Sequence, residues 1–144
     1  MVDNDRPPLG GGSSASAPGM TLKVLPEQLA IAHHGPKEAV PRWADQGGFS
    51  CITRTQESLT IVCAQVFVPS GVPSDLGWRC IEVQGPLDLS LTGILASLVT
   101  PLGEAGIPVF VMSSFETDFI LVKQARLAEA RRALERAGHS ILDG

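Results

Sequence analysis

The sequence lacks several features that would assign it to a familiar class of protein. Only 18% of its 144 residues are charged and the net charge is −4, with no stripe of Lys and Arg. Such a chain would release few counterions from a phosphate backbone, so we do not expect nucleic-acid binding. No apolar run reaches the ~18 residues that a membrane-spanning helix requires, and we expect no membrane span. The N-terminus lacks the apolar stretch of a secretory signal, which predicts a cytoplasmic protein.

Metal and catalytic motifs are also missing. Cys51, Cys63 and Cys80 have no C-x-x-C spacing, and each lies among apolar residues. Buried, reduced thiols are therefore expected, and we predict neither a metal nor another cofactor. His33 and His34 are adjacent, so on a strand they point to opposite faces and would not bind one metal together. The sequence contains no G-x-S-x-G, H-E-x-x-H or Walker pattern, and no enzyme activity is predicted.

Hydrophobic residues nevertheless make up 44% of the chain, which is enough for a real core. Residues 1–19 are rich in Gly, Pro, Ala and Ser and predict a flexible leader. Two folded stretches follow, over residues 20–68 and 78–144. The segment 69–77 is dense in Pro, Gly and Ser and is the predicted connector.

The first stretch reads mainly as strands. We predict strands over Thr21–Leu25 and Leu29–Ala32, and a helical turn within Val40–Asp45. Phe49–Arg54 and Leu59–Ala64 predict a hairpin. This stretch would form a less regular version of the α+β unit that we predict for the second stretch.

The second stretch alternates strand and helix signals. Apolar residues at helical spacing predict a helix that begins at Thr92, and Gly106 predicts its left-handed cap. Pro101 removes one main-chain hydrogen bond, so a kink or break is expected near Val99. The other elements are a strand over Trp78–Gln84, strands over Ile107–Ser113 and Asp118–Lys123, a helix over Gln124–Ala137 and a possible strand over His139–Leu142. This order predicts an α+β fold with an antiparallel sheet and both helices on one face.

The loop before the first helix is rich in small residues, from Gly85 to Gly93. The free N–H groups at a helix start carry partial positive charge and bind carboxylates without Lys or Arg. The start at Thr92 is therefore a candidate site for the carboxylate of a ligand. The alternative is a simple N-cap formed by Asp88, Ser90 or Thr92.

The predicted hairpin Ser113–Asp118 places two carboxylates and three hydroxyls in one short turn. A zwitterion would fit between this hairpin and the helix start, with its amine on Asp118. An ordinary polar turn is the alternative. Glu116 and Asp118 would also suit an acid–base pair, but no nucleophile is evident nearby.

Several segments resemble the small tandem ACT-domain proteins related to the CASTOR amino-acid sensors. The second stretch is also similar to the regulatory ACT domains of aspartate kinases. The resemblance covers about Leu22 to Gly138. It rests on Trp43–Ala44, Gly48–Phe49, Ile52–Thr55, Leu59–Cys63, Gly77–Arg79, Gly85–Asp88, Leu91–Ala96, Pro101–Leu102, Ala105–Ile107 and Ser113–Val122.

This resemblance implies two tandem ACT-like units of the ferredoxin-like βαββαβ type. It also implies an amino-acid-binding regulatory protein without catalytic activity, which forms a homodimer. A module that dimerises through its ACT sheets and binds no ligand is the alternative. The implied ligand-binding residues lie at the helix start and in the hairpin: Leu91, Thr92, Gly93, Ile94, Ser113, Ser114, Phe115, Glu116, Thr117 and Asp118.

Overall fold

A computed structural model describes residues 19–85 and 92–143 of the chain. The predicted leader therefore lies almost wholly outside the described residues, as does Leu91. The strands and helices are β1 (Thr21–His34), β2 (Ser50–Arg54), β3 (Leu59–Ala64), β4 (Ser74–Val83), α1 (Ile94–Glu104), β5 (Phe110–Ser113), β6 (Asp118–Lys123), α2 (Leu127–Arg136) and β7 (Ser140–Asp143).

The strands form one sheet with the order β2-β3-β1-β4-β6-β5, and β7 pairs with β1. The element order from β4 to β7 is β-α-β-β-α-β, as the second stretch predicts. The first stretch differs, because its described residues contain no α-helix. The helical turn expected within Val40–Asp45 is a 3-10 turn over Arg42–Asp45.

β1 is a single strand of 14 residues, where the sequence predicts two. Its start, Thr21–Val24, pairs with β7, and its end, Leu29–His34, pairs with β3. β4 lies along its other side, with a register shift between Val24 and Gln28. The Arg79 side chain fills this irregularity, since its Nε and Nη2 donate to the Leu25 carbonyl at 3.3 and 2.9 Å.

β4 also joins the two stretches, because it begins at Ser74, inside the predicted connector. The domain boundary at residues 69–77 stays a prediction. Among the described strands every pairing is antiparallel except β1 with β7. β1 lies between β4 and β7, so the last strand pairs parallel with β1 instead of pairing with β4.

Alternation along the strands divides the apolar residues between the two faces of the sheet. One face packs against α1 and α2, which confirms that both helices lie on one side. The helix-side core contains Leu22, Val24, Ile81, Val83, Ile94, Leu98, Leu102, Ile107, Ile120, Val122, Ala130, Ala133 and Leu134. The other face carries the open-face core: Leu29, Val62, Trp78, Cys80, Met112 and Leu121.

The break expected near Val99 is absent, because α1 runs without interruption through Pro101. Pro101 has no N–H to donate to the carbonyl of Ser97, four residues earlier. His139 replaces that donor, since its Nε2 lies 3.0 Å from the Ser97 oxygen. Its Nδ1 accepts from the Met20 N–H at 3.0 Å. A buried histidine therefore supports the helix at its proline and holds the start of β1.

The predicted cap of α1 is confirmed, because Gly106 has a φ of +73°. Arg131 of α2 forms an ion pair with Asp143 of β7 at 2.8 Å. No helix among residues 19–85 and 92–143 is long and apolar enough to cross a membrane.

Candidate functional site

The hairpin between β5 and β6 is held by its own polar groups. The Ser114 N–H donates to the Thr117 carbonyl at 2.8 Å. The Ser114 hydroxyl accepts from the N–H groups of Glu116 and Thr117, each at 3.3 Å. Four residues therefore close a tight turn, and Phe115 at its tip is 78% exposed.

Thr117 fixes the hairpin to the rest of the sheet. It is one of two buried polar residues in the described part of the chain. Its hydroxyl donates to the Val83 carbonyl at 2.6 Å, at the end of β4. The residue is therefore an anchor of the turn, and its hydroxyl is already committed to the main chain.

Ser113 and Asp118 form the last pair of the β5–β6 ladder. The Ser113 hydroxyl donates to Asp118 Oδ1 at 2.6 Å. Alternation places both side chains on the helix side of the sheet, with Val111 and Ile120. The second carboxylate oxygen of Asp118 has no hydrogen-bond partner among the described residues and suits an amine.

The start of α1 lies at the same end of the sheet as this hairpin, because α1 follows β4 in the chain and the hairpin lies beside the end of β4, where Glu82 pairs with Phe119. The N-cap is Gly93, with a left-handed φ of +81°. A glycine offers no side-chain oxygen, and Thr92 is exposed and does not occupy the cap position. Ile94 is buried in the helix-side core. Among the described residues, no hydrogen bond joins this helix start to the hairpin.

Sequence reasoning missed a cavity on the opposite face. It has a volume of about 210 Å³ and is lined by Gly48, Phe49, Ser50, Cys51, Met112, Ser113, Ser114 and Phe119. Phe49 meets Phe119 edge-on, with the ring centroids 5.1 Å apart. The approach of the first stretch to the hairpin creates this cavity, and spacing along the chain does not reveal it.

Both charged side chains of the hairpin are acidic. Glu116 is exposed, and Asp118 is partly exposed. The buried thiols lie in the sheet, and burial raises the pKa of Cys63 and, to about 12, that of Cys80. No cluster of His, Cys, Asp and Glu among residues 19–85 and 92–143 has the arrangement of a metal site.

Comparison with known proteins identifies the family of one part of the chain and several similar structures. Residues 74–136 match the family model of the ACT domain, and residues 27–71 match a second model described as an N-terminal domain. The crystal structure of protein Atu0741 from Agobacterium tumefaciens is 43% identical in sequence, with a TM-score of 0.84. The match covers 89% of this chain and 96% of that one. Residues 74–136 belong to the ACT-domain family.

More distant structures share the fold alone. Aspartokinase alpha and beta subunits are 16% identical with a TM-score of 0.61, over 83% of this chain and 97% of that one. The regulatory subunit of aspartate kinase from Thermus flavus is 11% identical with a TM-score of 0.58, over 84% and 99%. These matches confirm the ACT-like, ferredoxin-like fold predicted from the sequence. The relation to the CASTOR sensors stays a prediction.

Proposed function

We propose that this ACT-domain protein is a non-catalytic regulator that binds a free amino acid. The binding site would lie between the start of α1 at Thr92–Ile94 and the hairpin Ser113–Asp118. The observation that carries the proposal is Asp118, a partly exposed carboxylate that Ser113 holds at one oxygen and that has no other hydrogen-bond partner among the described residues. Support from the fold comes from similarity to regulatory subunits of aspartate kinase.

The two halves of the site suit the two charges of an amino acid. The N–H groups that open α1 carry partial positive charge and attract a carboxylate. Gly93 adds no side chain at that end of the helix, and no atom of the described residues lies within 4 Å of the position that a Cβ would take there. Asp118 would take the ammonium group through a charge-assisted hydrogen bond. Leu91 completes the proposed site but lies outside the described residues.

The arrangement of the polar groups in the hairpin favours ligand binding over catalysis. The Thr117 hydroxyl is bound to Val83, and the Ser113 hydroxyl is bound to Asp118. The acceptor of the Thr117 hydroxyl is a main-chain carbonyl, and the Asp118 carboxylate that accepts from Ser113 is the group proposed to bind the ammonium of the ligand. We therefore propose a sensor whose output passes through its assembly or through a partner protein.

A thermal-shift screen of the proteinogenic amino acids tests the proposal. A ligand at about 100 times its dissociation constant adds ~2.7 kcal/mol to the free energy of unfolding. For a domain of this size that corresponds to a rise in Tm of several degrees. If no amino acid at millimolar concentration raises Tm, the proposal is wrong.

A second candidate is an interaction module that dimerises without a ligand. The favouring observation is that some large apolar side chains are exposed, such as Phe115 at 78% and Val66 at 81%. Association with a second copy would remove such side chains from water. Light scattering with and without amino acids separates the two candidates, because this one predicts a dimer whose population ignores every amino acid.

A further inference from the structure

The two halves of the proposed amino-acid site are joined by a series of hydrogen bonds that runs through β4, β1 and the start of β7. The series begins in the hairpin, where the Thr117 hydroxyl donates to the Val83 carbonyl at 2.6 Å. The peptide unit that carries this carbonyl also carries the Gln84 N–H, which donates to the Thr21 carbonyl of β1 at 2.9 Å. One peptide unit therefore holds the hairpin through its oxygen and the start of β1 through its N–H.

The series continues from β1 to α1 through His139. The N–H of Met20, the neighbour of Thr21, donates to His139 Nδ1 at 3.0 Å. His139 Nε2 lies 3.0 Å from the Ser97 carbonyl oxygen. A main-chain carbonyl can only accept, so the ring proton lies on Nε2, and a single tautomer satisfies both partners. In the first turn of α1, the Ser97 N–H donates to the carbonyl of Gly93 at 2.9 Å.

We call the residues joined in this series the linking network. It contains the two polar residues that are buried in the described part of the chain, Thr117 at 7% and His139 at 6% exposure. A buried polar group that loses its partner costs free energy, so these bonds fix relative positions. Hydrophobic burial is non-directional, and the helix-side core alone does not fix them in the same way. The linking network therefore supplies the directional contacts between the hairpin and the start of α1.

We propose that the linking network positions the hairpin Ser113–Asp118 relative to the start of α1 and so sets the affinity of the proposed amino-acid site. This inference rests on the proposed function. His139 and Met20 are then positioning residues, because they act through Ser97 and the end of β4 and belong to neither half of the site. Coupling of this kind is reciprocal, so a bound amino acid also stabilises the linking network.

The linking network can be cut at His139, far from the hairpin, without removing a hydrogen bond from α1. In a Pro101→Ala background the new N–H at position 101 binds the Ser97 carbonyl. Adding His139→Phe then leaves only the Met20 N–H without its partner. Pro101→Ala alone is the matched control, because it retains His139 and the bond to Met20.

Amide hydrogen exchange followed by NMR tests the coupling without any ligand. The reporter is the Ser114 N–H, which closes the hairpin by donating to the Thr117 carbonyl. The amides of β3, which lies between β2 and β1, serve as the reference for global unfolding. We expect the reporter to exchange about fivefold faster, relative to the reference, in the double variant than in Pro101→Ala. An unchanged ratio overturns the inference.

Isothermal titration tests the effect on affinity with the proteinogenic amino acid that raises Tm most in the thermal-shift screen. We expect Pro101→Ala to bind it as tightly as the wild-type protein and the double variant with His139→Phe to bind it about fivefold more weakly. Equal affinities of the two variants overturn the inference and leave the proposed function intact. If no amino acid binds the wild-type protein, the proposed function fails and this inference fails with it.

Thr117 allows a second cut, at the hairpin end of the linking network. Thr117→Val removes the donor to Val83, whereas Thr117→Ser keeps it. We expect the Ser97 N–H to exchange about fivefold faster, relative to the β3 amides, in Thr117→Val and at the wild-type ratio in Thr117→Ser. Ile61→Val, in the core of the first stretch, is the control for general destabilisation and should leave the ratio unchanged. Equal ratios in Thr117→Val and Ile61→Val overturn the inference.

Discussion

The molecule contains two hairpins with the same turn and different chemistry. In the first, the Thr55 N–H donates to the Ser58 carbonyl at 2.9 Å. In the second, the Ser114 N–H makes the same bond to Thr117 at 2.8 Å. In both turns the first hydroxyl also accepts from the third and fourth N–H groups, at 3.1 and 3.2 Å in one and 3.3 Å twice in the other.

The pair of residues that flanks each turn differs. Arg54 faces Leu59 in the first hairpin, and Ser113 faces Asp118 in the second. Leu59 is fully buried in a core beside Trp43, whereas Asp118 is partly exposed. The two turns therefore share their backbone hydrogen bonds. The flanking pair of the first hairpin includes a buried core residue, whereas both flanking residues of the second are polar. This contrast, rather than the turn itself, makes the second hairpin the candidate for ligand binding.

Exchanging the residues that flank the two turns should have the largest effect on the free energy of unfolding. Leu59→Asp buries a charge without a partner and should lower the free energy of unfolding by about 4 kcal/mol or more. The reverse change, Asp118→Leu, removes one exposed hydrogen bond and should cost less than about 1 kcal/mol. Urea denaturation followed by circular dichroism measures both. Equal costs would show that the two hairpins do not differ in the way described.

α1 begins at the same end of the sheet as the second hairpin, and His139 supports that helix at Pro101. His139→Phe leaves the Ser97 carbonyl and the Met20 N–H without partners and should cost about 3 kcal/mol. In a Pro101→Ala background the new N–H binds Ser97, so the same change should cost about 1 kcal/mol less. A double-mutant cycle in urea measures this coupling. Strictly additive effects would contradict the role given to His139.

The fourth residues of the two turns, Thr117 and Ser58, should contribute differently to the free energy of unfolding. Thr117→Val removes a buried hydrogen bond to Val83 and should cost about 1–2 kcal/mol. Ser58→Ala, at the matching position of the first hairpin, should stay within about 0.5 kcal/mol, because the Ser58 side chain makes no hydrogen bond within the described residues. Chemical denaturation of the two variants side by side is the measurement. A cost for Ser58→Ala as large as that for Thr117→Val would remove the distinction.

Sequence patterns predicted the second stretch better than the first. The helix spacing, the Gly106 cap and the order β-α-β-β-α-β are local signals, and the structure confirms them. The continuity of β1 is not local, because β4 holds both halves of the strand across the irregularity near Leu25. The unbroken α1 depends on His139, far along the chain from Pro101, so the expected break near Val99 was wrong.

The candidate site was predicted only in part. Polar residues in one short turn identified the hairpin and Asp118. The cavity beside Phe49 forms only when the first stretch approaches the hairpin, and nothing in the spacing indicates it. The roles of Ser113 and Asp118 in ligand binding stay a prediction.

A substitution at the tip of the second hairpin should have the smallest effect on the free energy of unfolding. Phe115 occupies the position that Gln56 has in the first hairpin, and it is 78% exposed. Phe115→Gln should change the free energy of unfolding by less than about 0.5 kcal/mol. Thermal melts at several protein concentrations measure the change. A loss of stability that grows with concentration would place Phe115 in an interface and favour the dimerising module.

The central claim is that the second hairpin, and not the first, binds an amino acid. Isothermal titration of the best amino acid from the screen tests it most directly, with Asp118→Asn compared with Glu57→Gln in the first turn. We expect at least a tenfold weaker affinity for Asp118→Asn, about 1.4 kcal/mol, and unchanged affinity for Glu57→Gln. Unchanged affinity in Asp118→Asn would contradict it.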